Sequence, residues 1–426
     1  MASIRKHGNK YEVQYRVPGC KKPQSERFDT IEEAELRKAE INIQKKRGTL
    51  VPLKSTNILV QSSHVDQNIT VEELMKLYIE KHGVTSMTAG VLCNTERRIR
   101  DYINPQIGNI PIGELTPLVL QSYYVELAKT PAKANNAGEF VGPSTIKKCH
   151  ADLRAALNWA IGNGILPLGC NAALYAKPPA YEEEDAISWD YDQFLMALEV
   201  CKDPQLKFII LMCVTCTMRI SELLGLTWDH VEYREDGGGN VFIEHQIQRA
   251  KEEYLNRSLK TKAFYVFPKT NPKSQSVLFL TTPKKNSARH VPFGETVEEA
   301  LKAHKERQDL EKQLMYPQYE DYGLVVARQN GRPYESKSIR TMLIKFCDQY
   351  GLPGVCTHSL RHTSVDVKLE LSGGNIKAVM ADAGHRTESM VTKQYSALRE
   401  RRRFGIADSM DNLLKTKKMP ASPLNF

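Results

Sequence analysis

The chain has 426 residues and a formal net charge of +9, and 41% of its residues are hydrophobic. Its length predicts two or three domains with packed cores, and its charge favours a polyanionic partner, nucleic acid first. The longest apolar run, FIILMCV at 208–214, is too short to span a bilayer, so we expect a soluble protein without a membrane partner.

Cysteine usage predicts a reduced, cytoplasmic setting. Nine cysteines are scattered along the chain, and no apolar signal segment follows the initial MASIRKHGNK. Cys213 and Cys216 have the CxxC spacing of metal ligands but lie at an apolar run without a second ligand pair. We therefore expect core cysteines there and no metal.

Residues 1–50 are predicted to form a small sheet followed by one helix. Short alternating segments and turn residues mark the sheet within residues 3–28, and the helix is capped by Thr30 and stopped at Gly48. This segment holds twelve Lys or Arg against seven Asp or Glu. It fits a DNA-contacting module, and solvated charge on a small domain explains it equally well.

A polar stretch without periodicity, residues 51–69, is predicted to be a linker. Thr70 and Glu73 then form a capping-box pattern, and the helical periodicity that follows predicts an all-α domain over 70–175. Two prolines and an acidic run in YAKPPAYEEED predict a second linker over 176–185.

The third domain is predicted over 186–405, before a C-terminal tail at 406–426. It begins with helical periodicity, passes through the strand-like runs NVFIEHQIQ and SVLFLTT, and becomes helical again. The predicted fold class is therefore multidomain: a three-stranded sheet plus helix, an all-α domain, and a mixed, mainly α (α+β) domain.

Two pairs with helical spacing indicate phosphate chemistry. His358 and Arg361 in THSLRHT would share one helix face, where arginine donors match phosphate oxygens and histidine exchanges protons near neutral pH. Arg219 and Glu222 in MRISELL would let the carboxylate hold the guanidinium. Taken singly, each pair is also explained by a polar helix face or a surface ion pair.

Three further features are weak alone. VLFLTTPKKNSARHVPF predicts two strands around a turn with Lys284 and Lys285 at its tip. His385 follows a glycine in MADAGHRTESM, and Tyr395 lies ten residues later in TKQYSALRERRR.

The order of these residues resembles the catalytic constellation of the tyrosine recombinases, the phage integrase family. The matching positions are Arg219, Lys284, His358, Arg361, His385 and Tyr395. Residues 70–175 also look like the family's core-site-binding domain, and residues 1–50 look like the arm-site-binding module of integrases from phages and conjugative transposons. Thr217 stands where the family often has Gly, which we interpret as a packing change.

The resemblance implies a covalent mechanism. Tyr395 would attack the scissile phosphate and form a 3′-phosphotyrosine, while Arg219 and Arg361 would clamp the non-bridging oxygens. Glu222 would orient Arg219 without touching the phosphate.

The resemblance also implies how protons move. Lys284 would protonate the leaving 5′-hydroxyl, with Lys285 and Lys269 as alternatives for that role. His358 would assist proton transfer at the nucleophile, and His385 would hydrogen-bond the phosphate.

The implied activity is site-specific recombination that integrates and excises a mobile element through a Holliday junction. The implied partners are double-stranded DNA with core-type and arm-type sites, other copies of the chain in a homotetramer, an excisionase and a host DNA-bending protein. A cytoplasmic, nucleoid-associated location in a bacterial host follows. Because the covalent intermediate keeps the phosphodiester's energy, neither a cofactor nor a metal is expected.

Two other function classes fit part of the pattern. A type IB topoisomerase uses a similar Arg, Lys, Arg, His and Tyr set to relax DNA, and a regulator can keep the fold without the chemistry. The basic N-terminal module and the linker before the third domain favour recombination, and the intact set of six residues favours an enzyme.

Overall fold

The computed structural model describes eight stretches of the chain. They are residues 3–7, 10–17, 23–47, 68–133, 139–180, 187–284, 287–372 and 375–383. The predicted tail, most of the predicted linker 51–69 and half of the predicted linker 176–185 lie outside them. None of the described helices is both long and apolar enough to cross a membrane.

The chain divides into two compact units. The first comprises Met1–Tyr78 and Arg97–Tyr181, and the second comprises Ile79–Glu96 and Glu182–Phe426. The domain limits expected from helical periodicity and linkers stay a prediction.

The first unit begins with the predicted sheet and helix. Strands β1 (Ser3–His7), β2 (Lys10–Tyr15) and β3 (Gln24–Phe28) pair antiparallel in that order, and helix α1 (Ile31–Arg47) follows. The hydroxyl of Thr30 accepts from the backbone N–H of Glu33 at 3.3 Å, so the predicted cap is present.

A small core and one ionic contact hold this module together. Alternation along β2 buries Val13 and Tyr15, which join Ala34 of α1 in an apolar cluster. Glu26 of β3 accepts from the Tyr15 hydroxyl at 2.6 Å and from Arg37 of α1. The helix is thereby fixed to the sheet by packing and by charge.

Helices follow in chain order. They are α2 (Val71–Tyr78), α3 (Ala89–Arg98), α4 (Asn104–Ile107), α5 (Pro117–Ala128) and α6 (Pro143–Gly162). π-helical turns lie at Ile79–Gly83 and Ile99–Ile103, and short helical turns lie at Val84–Ser86, Ile112–Glu114 and Ala172–Leu174. The predicted capping box before α2 is confirmed, because Thr70 and Glu73 exchange hydrogen bonds through backbone and side chain.

The described part of the second unit contains eight further α-helices, one 3-10 turn and six strands. The helices are α7 (Tyr191–Val200), α8 (Pro204–Thr215), α9 (Ile220–Leu224), a 3-10 turn (Trp228–His230), α10 (Glu252–Arg257), α11 (Glu295–Leu314), α12 (Ser336–Tyr350), α13 (Ser359–Leu371) and α14 (Ile376–Ala383). The strands are β4 (Val231–Tyr233), β5 (Gly239–Ile243), β6 (Gln246–Lys251), β7 (Ala263–Val266), β8 (Ser276–Thr281) and β9 (Arg289–Phe293). The predicted fold class is confirmed.

Helix α8 lies in the core of this unit. Its residues Ile209, Ile210 and Met212 have no exposed surface, and α13 packs beside it. Cys213 and Cys216 are buried in the same core, as expected from the apolar run. The segment that follows α8 is therefore held against the start of α13, which places Arg219 near Arg361.

The strands form two antiparallel three-stranded sheets, ordered β4-β5-β9 and β6-β8-β7. The sequence predicts β8 and β9 as two strands around one turn, but they do not pair with each other. Instead β5 pairs with β9 and β6 with β8, ending at Ile243–Arg289 and resuming at Gln246–Thr281. At this interruption, the ladder break, two residues (244–245) separate the paired strands on one side and seven residues (282–288) separate them on the other.

Candidate active site

Arg219 and Glu222 form the predicted ion pair at the start of α9. Arg219 is the residue just before the helix, and its backbone N–H donates to Oε2 of Glu222 at 3.0 Å. Its Nη1 donates to Oε1 at 2.6 Å, while the Glu222 side chain has no exposed surface. The same carboxylate therefore caps the N-terminus of the helix and fixes the position of the guanidinium.

Arg289 is a second partner of this carboxylate and was not among the predicted site residues. Its Nη2 donates to Oε2 of Glu222 at 3.0 Å, and only 9% of its side chain is exposed. Arg289 begins β9, on the same face as the buried Val291 and Phe293. That alternation is the signal in the sequence, since it places a cation on the buried face of a strand.

The charge state of Glu222 follows from these contacts. Burial alone would raise the pKa of its carboxyl group, but Arg289 and then Arg219 lower the pKa below its ordinary value. The group is therefore ionised at neutral pH. Its charge holds together two cations that come from separate parts of the chain.

Arg361 is buried near this cluster. It lies in the first turn of α13 with 2% exposure, and its Nη1 donates to the backbone carbonyl of Thr217 at 2.8 Å. Burial and the neighbouring charge of Arg219 lower the pKa of Arg361 to about 9, so the guanidinium is still cationic at neutral pH. Arg289 donates to the same carbonyl at 3.2 Å.

Thr217 adopts a left-handed backbone conformation with φ of +50°. A β-branched residue rarely adopts it, which explains why glycine suits this position and corrects our interpretation of a packing change. The Thr217 side chain is buried, and its hydroxyl lies 2.8 Å from that of Ser364 in α13. This conformation turns the Thr217 carbonyl toward two guanidinium groups.

His358 precedes α13, so helical spacing brings it beside Arg361 as predicted. Burial, followed by the charges of Arg361, Arg219 and Lys284, lowers the pKa of His358. Its imidazole is therefore neutral at pH 7 and can accept a proton. His362 contacts it edge to face at 4.8 Å between ring centroids. Burial lowers the pKa of His362 to about 4, and the neighbouring His358 and Arg361 add to the shift.

Lys284 lies in residues 282–288, the lysine loop, which joins β8 to β9 across the ladder break. The side chain of Lys284 is exposed. Gln246 supports the start of this loop, donating from Nε2 to the Thr282 carbonyl at 2.7 Å and accepting from the Ser221 hydroxyl of α9 at 3.2 Å. A side chain at Gly225 would collide with the Gln246 backbone, since its Cβ would lie 2.7 Å from Cα. Glycine thus allows α9 to lie close to β6. Gln246 of β6 can then contact both α9 and the start of the lysine loop.

The structure places the alternative lysines differently. Lys269 forms an ion pair with Glu252 at 2.5 Å, and Lys285 lies outside the described residues. Among the described lysines, Lys284 is one whose charge lowers the pKa of His358. The described residues thus bring together Arg219, Glu222, Lys284, His358 and Arg361. The other two predicted site residues, His385 and Tyr395, lie outside the described part of the chain.

Known families match the two regions that the sequence analysis singled out. The model of the "Phage integrase family" matches residues 271–402, and the "Phage integrase, N-terminal SAM-like domain" matches residues 70–128. A "Tyrosine recombinase XerC-like" protein of Caldanaerobacter subterraneus subsp. tengcongensis is 23% identical over 357 residues, which are 82% of this chain and 84% of that protein. The chain thus contains a catalytic region and an N-terminal SAM-like domain of the phage integrase type. It is a site-specific recombinase of the tyrosine type.

Solved structures share the fold of this recombinase. The Tn1549 transposon integrase aligns with a TM-score of 0.58 and 19% identity, covering 79% of this chain and 99% of that one. A lambda integrase tetramer aligns with a TM-score of 0.54 and 16% identity, covering 92% and 94%. The "Integrase" of Staphylococcus phage L54a is 26% identical over 135 residues, which are 32% of this recombinase and 38% of the phage protein.

Replacing Glu222 by Gln tests the dependence of the arginine cluster on one charge. Gln keeps the shape but leaves buried cations without their counter-charge, so we expect a loss of about 3–5 kcal/mol in the free energy of unfolding. Urea denaturation at pH 7 measures it. As control, Glu253→Gln removes the exposed partner of Arg257 and should cost less than about 0.5 kcal/mol. Equal effects of the two variants would contradict the assignment.

Comparing Thr217→Gly with Thr217→Ala isolates the backbone conformation, since both variants remove the hydroxyl. Left-handed geometry penalises alanine by about 1–2 kcal/mol, so the glycine variant should be the more stable one in urea denaturation. At Thr341, an exposed position within α12, the order should reverse, with glycine about 1 kcal/mol less stable. The same order at both positions would rule out a strained Thr217.

Proposed function

We propose that this recombinase cleaves and rejoins double-stranded DNA through a 3′-phosphotyrosine, integrating and excising a mobile element. The observation that carries the proposal is the crowding of cations around Glu222. Burial lowers the pKa of Arg361, and the charges of Arg219 and then Arg289 lower it further. An anionic phosphate relieves this repulsion, and it relieves it most when the pentavalent transition state gains charge.

Each step of the reaction has a residue in this proposal. Tyr395 attacks phosphorus, and Arg219 and Arg361 bind the non-bridging oxygens. His358, neutral through its lowered pKa, accepts the proton of the nucleophile, and Lys284 protonates the 5′-oxygen that leaves.

Two other residues complete the scheme. His385 donates a hydrogen bond to the phosphate. Glu222 positions Arg219 through their ion pair and does not contact the phosphate. The bond between phosphate and tyrosine retains the energy of the broken phosphodiester, so religation to another strand needs no ATP. The 5′-hydroxyl of the new strand attacks the same phosphorus and gives its proton to Lys284, while the bond to Tyr395 breaks and His358 returns the proton to the tyrosine oxygen.

The DNA partners in this proposal follow from the relatives. One Tn1549 integrase structure contains transposon right end DNA, and lambda integrase has been solved as a dimer on a core site and as a tetramer on a Holliday junction. We assign core-site binding to residues 70–175 and catalysis to 186–405, with linkers at 51–69 and 176–185. A homotetramer then exchanges strands in pairs through a Holliday junction.

The N-terminal module extends the proposal to a second class of DNA site. Residues 1–50 carry more basic than acidic side chains on a sheet stiffened by the Glu26 contacts, and we assign them to arm-type sites. An excisionase and a host DNA-bending protein would set direction, and the reaction would take place on the nucleoid of a bacterial host.

Tyr395→Phe is the first test. A nicked suicide substrate that carries the attachment site should give a covalent adduct with the unaltered protein in EDTA and without ATP, located on Tyr395 by mass analysis. The Phe variant should bind the same DNA but form no adduct, because only the phenol oxygen can attack. Retention of cleavage in the Phe variant would disprove the nucleophile. Exchange between two sites separates recombination from relaxation by a topoisomerase.

Arg361→Ala tests the phosphate clamp. Loss of one transition-state donor should lower the cleavage rate by about a hundredfold or more. Arg361→Lys keeps the charge but not the planar fork, so it should also be slow while circular dichroism stays unchanged. Arg332→Ala is the control, because that arginine binds Glu320. A loss under about tenfold in both Arg361 variants would refute the clamp.

A further inference from the structure

Two histidines and a glutamate meet where the chain passes from β5 to β6. One ligand atom from each of His230, Glu244 and His245 lies within 4.8 Å of the other two. Nε2 of His230 is 3.1 Å from Oε2 of Glu244. Ligands of tetrahedral zinc lie about 3.3 Å apart, so small side-chain rotations would bring all three around one ion.

The imidazole of His230 is oriented as in metal sites. Its Nδ1 lies 2.8 Å from the hydroxyl of Thr227, so Nε2 points to the carboxylate. Metal-binding histidines commonly use their second nitrogen in this way. A plain ion pair would need only His230 and Glu244, but the ring of His245 lies 5.6 Å from that of His230 and is held against Phe264.

The donor types select among metals. Two imidazole nitrogens and one carboxylate oxygen are the ligands of zinc-class ions, whereas calcium and magnesium prefer oxygen alone. The side chains are accessible to an ion from solvent, since 23% of His230 and 47% of Glu244 are exposed. Three protein ligands leave the fourth position of a tetrahedral ion for water.

We propose that His230, Glu244 and His245 bind a zinc-class dication. The proposal does not rest on the recombination mechanism. Glu244 and His245 are the two residues opposite the lysine loop at the ladder break. Gln246, the next residue, holds both that loop and α9, so a bound ion would fix the link between the two sheets beside this support.

The full-length protein, stripped of metal, should bind Zn²⁺ in competition with a chromogenic chelator. His245→Ala and Glu244→Gln should each weaken that affinity by at least about tenfold. His290→Ala is the matched control, because His290 is an exposed histidine of β9 that stacks on Phe242 outside the trio. It should bind Zn²⁺ as the unaltered protein does.

Two further readouts test whether the three side chains of His230, Glu244 and His245 themselves bind the ion. Co²⁺ at the site should give a visible spectrum without a thiolate charge-transfer band, which separates it from binding by any of the cysteines. Zn²⁺ should raise the Tm of the unaltered protein and of His290→Ala, but not that of His245→Ala. Equal Zn²⁺ affinity in His245→Ala and His290→Ala, or a thiolate band, would overturn the proposal.

Discussion

The second unit depends on one buried carboxylate. Glu222 has no exposed surface, yet it is ionised because Arg219 and Arg289 donate to it. A charge removed from water must be matched by its surroundings, so the chain segments that carry those arginines have to converge here. The end of α8, the start of α9 and the start of β9 are thereby fixed relative to one another, and the start of α13 joins them through a shared carbonyl.

That shared carbonyl belongs to Thr217, whose strained backbone is part of the same constraint. Left-handed geometry costs free energy in a threonine, and it persists because Arg361 and Arg289 both donate to the oxygen that it exposes. Strain, burial and like charge are all concentrated within a few residues. An enzyme that must stabilise an anion prepares for it by assembling donors before the anion arrives.

Much of this site was predictable because its pairs are local. Arg219 with Glu222 and His358 with Arg361 are each three residues apart, and helical spacing alone brings them together. The contacts of Arg289 with Glu222 join positions 67 residues apart, which no local pattern encodes.

The backbone conformation and the sheet pairing were not predictable for related reasons. The side-chain type of Thr217 argues against the φ that it adopts, since contacts from α13 override its intrinsic preference. The strands β8 and β9 were recognised from their composition. Their assignment to two sheets was missed because it is decided by β5 and β6, whose paired residues lie at least 25 positions earlier in the chain.

Because of the ladder break, the length of the lysine loop can change without changing the register of the strands. Because pairing ends at Ile243–Arg289 and resumes at Gln246–Thr281, residues 282–288 can be lengthened or shortened without moving any side chain to the opposite face of a sheet. Loop length is therefore a variable that evolution or an engineer can adjust independently of the scaffold. The position of Lys284 becomes tunable by insertion and deletion, while the arginines stay where the buried carboxylate holds them.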